Sequence, residues 1–476
     1  MKVLFFSINN SCSPNFEREL ELMSNHKEKG DDIYVLGCKG VLKSCYSNLD
    51  HKKSRCVYCK LRFNNGIELL EISKNNIFYI KDKTLTKFKN AFSNLEELKS
   101  FNLFGVNLGL GVASSLISEV ADHKPDLLKY KQLINKMLNS SILIYETIVD
   151  LFKLYKFDLV YFFNGRFHDV HPVFQACKQF KIDFYTHEAA AYLDASRYTI
   201  FKNSLPHDLE GIWRDIEDVW DRGDSNRAVI SKQWFENQRR GKAFIPNFLE
   251  HQRLSMLPAG FDNSKKNIVF FNSSIDEYEC IPGWRSHLYT NENDFILKII
   301  KYVGHLNKNI KFYLRMHPRL KGYNNSQIDE LRRIESLNYE NFKIIWPEDL
   351  EDSYALLDAC DQIIVFKSTI GVEASYWGKP VILGGRAFYE KLECAYVPNN
   401  FEKLVQMIIS DLPAKNGNNC LKFGYWVSKK GIKYRKYKST GTFSGKFLGR
   451  ELVSKYSAKK IHLWIVKLLE KSYLLK

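Results

Sequence analysis

Five short apolar runs alternate with helical periodicity in the second half of this 476-residue chain. They cover residues 267–272, 310–316, 343–346, 362–366 and 380–383. Runs of this length between helical segments predict a parallel, doubly wound sheet covered on both faces. Three of them end in polar clusters: Ser273-Ser274-Ile275-Asp276-Glu277, Arg315-Met316-His317-Pro318-Arg319 and Lys367-Ser368-Thr369-Ile370-Gly371. Ligands of such sheets bind beyond the carboxyl ends of the strands. The three clusters therefore predict one shared site.

The first half opens in the same way. Residues 2–8 and 32–36 read as strands around a helix over 15–26, without the glycine fingerprint of a dinucleotide site. Residues 60–155 read as mostly helical, most clearly over 83–100 and 130–155. The uncharged stretch 101–118 holds three Gly and two Asn, which predicts a packed helix after a loop rather than a membrane span. Residues 158–163 predict a strand ending in Asn164-Gly165-Arg166-Phe167, and 183–185 one ending in Thr186-His187-Glu188-Ala189-Ala190. Parallel strands end on one side, so Asn164 and Arg166 are candidate substrate contacts there. His187 and Glu188 are candidate bases, since burial near a His can move a Glu toward the general-base range. Residues 191–260 read as helical. The Gly-, Pro-, Asn- and Lys-rich stretch 257–266 predicts a boundary, giving domains 1–260 and 261–415 and a tail, 416–476.

Composition adds a soluble class, and charge adds a surface. Hydrophobic residues make up 45% and charged residues 26%, ordinary for a chain that buries a sizeable core. The opening residues turn polar too early for a signal peptide, which predicts a cytoplasmic protein. The net charge of +16 is concentrated: from Leu421 to Lys476 there are 15 Lys or Arg against Glu451 and Glu470. The spacing fits no nucleic-acid module. Residues 459–476 predict a basic amphipathic helix, suited to packing on the body or to an anionic inner-membrane surface.

Four of the ten cysteines, Cys38, Cys45, Cys56 and Cys59, fall in one loop-like segment, 38–59. The last pair is a C-x2-C. A structural zinc or iron–sulfur site and four free thiols both fit this spacing.

In the second half, a Ser/Thr-rich loop before a helix offers N–H groups, hydroxyls and the positive end of a helix dipole to a phosphate. That is the setting of Ser368, Thr369 and Gly371, with Lys367 beside them. Pro318 holds His317 away from helical geometry at a strand end. Arg315 alternates to the same face, where arginine can grip phosphate bidentately. Ser273 and Ser274 add hydroxyls, and Asp276 and Glu277 carboxylates for sugar hydroxyls. No D-x-D metal motif is present, so no catalytic divalent metal is expected.

These motifs, with Phe270-Phe-Asn-Ser-Ser-Ile-Asp-Glu277, Arg315-Met-His-Pro318 and the run from Ser368 to Ile382, resemble those of bacterial capsule and surface-polysaccharide (lipopolysaccharide) glycosyltransferases. The resemblance is firmest over 267–385. It implies a GT-B fold: two Rossmann-like domains facing each other across a cleft, here with a helical insertion and a basic tail. It also implies a nucleotide-sugar donor, CMP-activated by preference and UDP- or GDP-activated otherwise, held by His317, Pro318, Ser368 and Thr369, with Glu373 on the ribose. Glu188 would be the base, with His187 and Asp276 behind it, acting on a glycan or lipid-linked glycan at the inner membrane. The alternatives are a non-catalytic glycan- or nucleotide-binding part of a polysaccharide assembly complex, and a nucleotide-sugar epimerase.

Overall fold

The computed structural model describes residues 1–82, 88–89, 91–190, 196–242, 250–441 and 443–453. They form a mixed α/β protein of two compact units. One unit is Met1–Val120 and Lys124–Pro206 with the described residues from Gly431; the other is Ala121–His123 and His207–Lys430.

The strands of the first unit are β1 (Lys2–Ser7), β2 (Asp32–Gly37), β3 (Ile77–Tyr79), the short hairpin β4 (Asn102–Leu103) and β5 (Val106–Asn107), β6 (Leu159–Phe163), β7 (Asp183–Ala189) and β8 (Arg197–Lys202). The second unit holds β9 (Lys266–Phe271), β10 (Ile310–Arg315), β11 (Phe342–Ile345), β12 (Gln362–Val365) and β13 (Val381–Leu383). The chain then returns to the first unit as β14 (Ile432–Lys433), β15 (Tyr437–Gly441) and β16 (Ser444–Phe447).

The second unit's sheet has the order β11-β10-β9-β12-β13 and is parallel throughout. Its strands read as continuous apolar runs because helices cover both faces, and Ile268, Phe270, Phe312, Leu314 and Ile364 are buried in one core. Strand order reverses between β9 and β12, which places the switch point between the carboxyl ends of these two strands. The first unit's sheet has the order β14-β8-β7-β6-β1-β2-β3, parallel from β3 to β7. Its switch point lies at β1.

Three expectations change here. Residues 186–189 continue β7 instead of forming a loop, because β8 pairs antiparallel along them; β8 itself was expected to be helical. Helices Leu209–Asp221 and Arg227–Arg239 cluster with the second unit, since Ile212, Ile216 and Phe235 pack in a core with Val269 and Val365. The units thus divide at Pro206/His207 rather than at 260. The tail also divides: helix Leu421–Lys429 stays with the second unit, and residues from Gly431 join the first, where Tyr437, Phe447 and Leu452 are buried with Phe16 and Leu20. The expected helix over 459–476 lies outside the described residues. So does part of the expected helix over 83–100, of which Leu95–Lys99 is helical. Among the described residues no helix is long and apolar enough to cross a membrane.

The returning tail explains an odd feature of helix Asn15–Glu28. Phe16, Leu20 and Met23 face the core, yet Glu17, Arg18, Glu19 and Glu21 are buried too. Glu21 accepts backbone N–H bonds from Arg435 (2.8 Å), Lys436 (2.9 Å) and Tyr437 (3.2 Å). A carboxylate taking several backbone donors offsets its desolvation.

Candidate functional site

In the second unit, β9, β10 and β12 deliver three segments to the switch point. β9 ends in Asn272, whose Oδ1 accepts the His317 N–H at 2.8 Å. This bond fixes the spacing of the β9 and β10 ends. The Asn272 side-chain nitrogen is buried and has no partner among the described residues; a buried amide in that state is poised for a ligand or water. Asn272 was not singled out from the sequence, although its place at the end of an apolar run was a usable signal.

His317 is half-buried and caps the short turn Pro318–Leu320. Its Nδ1 accepts the Arg319 N–H at 3.2 Å, which leaves the proton on Nε2 as a donor. Burial pushes its pKa down to about 4, so the ring is neutral near pH 7. Ser368 is half-buried and Thr369 exposed at the start of helix Ile370–Tyr376. Lys367 sits before them with φ of 61°, a left-handed conformation that costs energy for a non-glycine residue. Its Nζ lies 3.7 Å from the buried Glu292, which also accepts from the Ser273 hydroxyl at 3.0 Å. Burial raises the Glu292 pKa, and Lys367 opposes that rise. Nothing in the sequence marked Glu292, because its partners come from other strands.

The other predicted residues here are engaged elsewhere. Arg315 is buried, with Nε on the Ser353 hydroxyl (3.2 Å) and Nη1 on the Trp346 carbonyl (2.8 Å). Its guanidinium ties β10 to the Ser353–Ala359 helix through Nε, and Nη2 is buried with no partner among the described residues. Glu373 is buried, accepts the Tyr354 hydroxyl, and burial lifts its pKa to about 7; it braces two helices rather than facing a ribose. Gly371 is required by packing, since a Cβ would collide with the Tyr389 hydroxyl and meet Val365 at 2.7 Å. Ser274 donates to the buried Asp276, and Glu277 pairs with Arg319. Pro318 begins the His317 turn.

In the first unit, β6 ends in Asn164 and Gly165, with φ of 50° and 84°. The Asn164 side chain accepts the Arg166 N–H (3.2 Å) and donates to Glu188 (2.8 Å). The second Glu188 oxygen accepts the Ala189 N–H at 3.0 Å. Glu188 is half-buried and held in one orientation. Arg166 donates to the Ser118 hydroxyl at 3.0 Å and lies over the Phe167 ring. The first unit thus brings Asn164, Arg166 and Glu188 together, as their strand-end positions predict.

His187 points the other way. It is fully buried beside Arg18, 3.3 Å from its Nδ1, and Glu19, 3.5 Å from its Nε2. Burial, reinforced by Arg18, drives its pKa well down. Glu19 receives the Ser7 hydroxyl, and burial raises its pKa to about 8. A carboxyl raised in the folded state binds its proton more tightly there than in the unfolded chain, where its pKa is about 4.3. Its contribution to stability is full below that value and is lost as pH rises toward 8. Glu19→Gln should therefore gain melting temperature relative to the wild type between pH 5 and pH 8. A constant difference across that range, in melts at matched ionic strength, would remove the assignment.

Of the two readings of the cysteines, the structure gives no support to a metal site. Among the described residues no group of three or more His, Cys, Asp or Glu could hold a metal ion. Cys38, Cys45, Cys56 and Cys59 make separate contacts, with the Gly40 N–H, the Ser47 hydroxyl, the Asn48 amide and the Ile8 carbonyl. Burial raises the Cys59 thiol to about 12 and Cys45 well above its ordinary value, which favours thiol over the thiolate a metal needs.

No curated protein matches the chain. Solved structures align over large parts of it at low similarity. Two are the β-Kdo 2,4 and β-Kdo 2,7 transferases of KpsC from Thermosulfurimonas dismutans. The first is 12% identical, covers 56% of this chain and 78% of its own, and has a TM-score of 0.35. The second is 15% identical over 68% and 89%, with a TM-score of 0.34. A UDP-GlcNAc 2-epimerase from Neisseria meningitidis, bound to UDP-GlcNAc, is 13% identical over 86% and 89%, with a TM-score of 0.22. At these scores none of them bears on activity. The family model described as capsule polysaccharide biosynthesis protein matches residues 285–392. Over that segment, which contains His317, Ser368 and Thr369, the chain is similar to the capsule polysaccharide biosynthesis family, the family the sequence resembles; the Phe270–Glu277 motif lies outside the match.

Proposed function

We propose that the chain is a glycosyltransferase of capsule or related surface-polysaccharide synthesis, with a GT-B-type division of labour. The second unit takes the nucleotide-sugar, CMP-activated by preference, and the first takes the glycan or lipid-linked glycan acceptor. The observation that carries this reading is the convergence of Asn272, His317 and the Ser368-Thr369 loop at the switch point of a parallel sheet, inside the segment that matches the family. Neutral His317 offers Nε2–H to a phosphate oxygen, the Ser368-Thr369 loop adds hydroxyls from the end of β12, and together they stabilise charge on the departing nucleotide. In transfer the acceptor oxygen bonds to the anomeric carbon, the bond from that carbon to the phosphate oxygen breaks, and Glu188 takes the acceptor proton. The basic residues from Leu421 onward support a place at an anionic, cytoplasmic membrane face.

Thermal melts with CMP, UDP and GDP test the donor half. One nucleotide should raise the melting temperature, and His317→Ala should weaken its binding by about 10- to 100-fold, the worth of one hydrogen bond to a charged group. The apo melting temperature should fall by no more than a few degrees, the worth of the lost turn cap. Absence of stabilisation by any nucleotide would sink the enzyme reading. Conversion of a donor without acceptor would redirect it to an epimerase.

A further inference from the structure

Tyr46 lies in the loop after β2, and the residue is 43% exposed. Single exposed aromatics are common and need no explanation. This one is held unusually firmly. Its ring stacks on Phe167, with centroids 4.2 Å apart and planes 26° apart, and is tilted at 42° to Phe163, centroids 5.9 Å apart. Its backbone N–H donates to Asp169 at 2.8 Å. Asp169 is fully buried, and its other oxygen has no hydrogen-bond partner among the described residues. Burying a carboxylate with half its capacity unused is costly. Here it fixes the one loop that carries the exposed ring.

The place of the ring matters as much as its rigidity. Phe163 and Phe167 bracket the Asn164-Gly165-Arg166 turn, so Tyr46 rests over the segment that orients Glu188. Arg166 covers part of Phe167, 4.7 Å from its centroid. Burial raises the pKa of the phenol, Glu188 adds to the rise and Arg166 opposes it. A rigid aromatic beside an amide, a carboxylate and a guanidinium suits a ligand with one apolar face and many hydroxyls. A pyranose ring has that form: its axial C–H bonds can lie on the ring while its hydroxyls reach the polar groups.

We propose that Tyr46, backed by Phe167, is a stacking platform for one pyranose ring of the acceptor glycan, placing a hydroxyl of that ring or its neighbour toward Glu188. The assignment rests on the acceptor reading of this unit. The test is binding of the full chain to an array of defined oligosaccharides of neutral hexose, N-acetylhexosamine and uronic acid, with saturation-transfer NMR on the hits. Nucleotide-dependent melts are run on the same samples. Wild type should bind at least one sugar class, Tyr46→Ala should lose about tenfold or more in affinity, and Tyr46→Phe should retain it to within about threefold. Nucleotide stabilisation should be the same in all three. Equal binding by Tyr46→Ala, or no sugar binding by wild type, overturns the platform. In either case persisting nucleotide stabilisation leaves the donor reading standing, and its loss removes both.

Discussion

Glu188→Gln should lower sugar transfer by about 10²- to 10⁴-fold, the usual worth of a general base, while the melting temperature falls by no more than a few degrees, the worth of one hydrogen bond. The exchange keeps size and an oxygen to accept from Asn164, whose amide donates to Glu188 at 2.8 Å. It removes the ability to take a proton and one acceptor, the oxygen that receives the Ala189 N–H. Glu188 is half-buried at the end of β7, and the turn that holds it contains two left-handed residues, Asn164 and Gly165. Strain concentrated there is a reason to look for function, since a packing role would not require it. The check is turnover with saturating donor and acceptor, alongside the nucleotide-induced melting shift. Turnover within about threefold of wild type would remove Glu188 from the chemistry. Loss of turnover together with the nucleotide shift would point to a structural fault instead.

Arg62→Ala should destabilise the first unit by about 3–5 kcal/mol, the cost of leaving one charge of a buried pair alone. Arg62 pairs with Glu17 at 2.7 Å, with side-chain exposures of 7% and 1%, and donates to the Asn10 carbonyl at 2.6 Å. Its removal strands the Glu17 carboxylate and the Asn10 oxygen at the carboxyl end of β1. The melting temperature should fall by on the order of 10 °C. Replacing both partners with apolar residues, Glu17→Leu with Arg62→Met, should recover most of the loss, since a buried pair is often no better than a packed apolar one. A single-variant loss below about 1 kcal/mol would show that water reaches Glu17 and that the pair contributes only as a surface pair does.

What the sequence by itself determined was the strand framework and the residues at its ends. Continuous apolar runs such as 362–366 and 310–316 encode buried parallel strands because burial on both faces is a local pattern. The carboxyl ends follow from chain direction, so Asn164, Glu188, His317 and Ser368 could be named without a structure. Which way a polar side chain turns at a strand end depends on partners far along the chain. Arg315 turns to Ser353 and Trp346, Glu373 to Tyr354, and Gly371 is set by Tyr389. None of these pairs has a local signature. The four cysteines had spacing suited to a metal, and among the described residues they form no group that could hold one. The tail carried no strand pattern, yet it closes the first unit's sheet and buries Glu21 through three backbone donors. Long-range pairing of polar groups is a property of the folded arrangement, because the desolvation cost that selects each partner exists only once the core has formed.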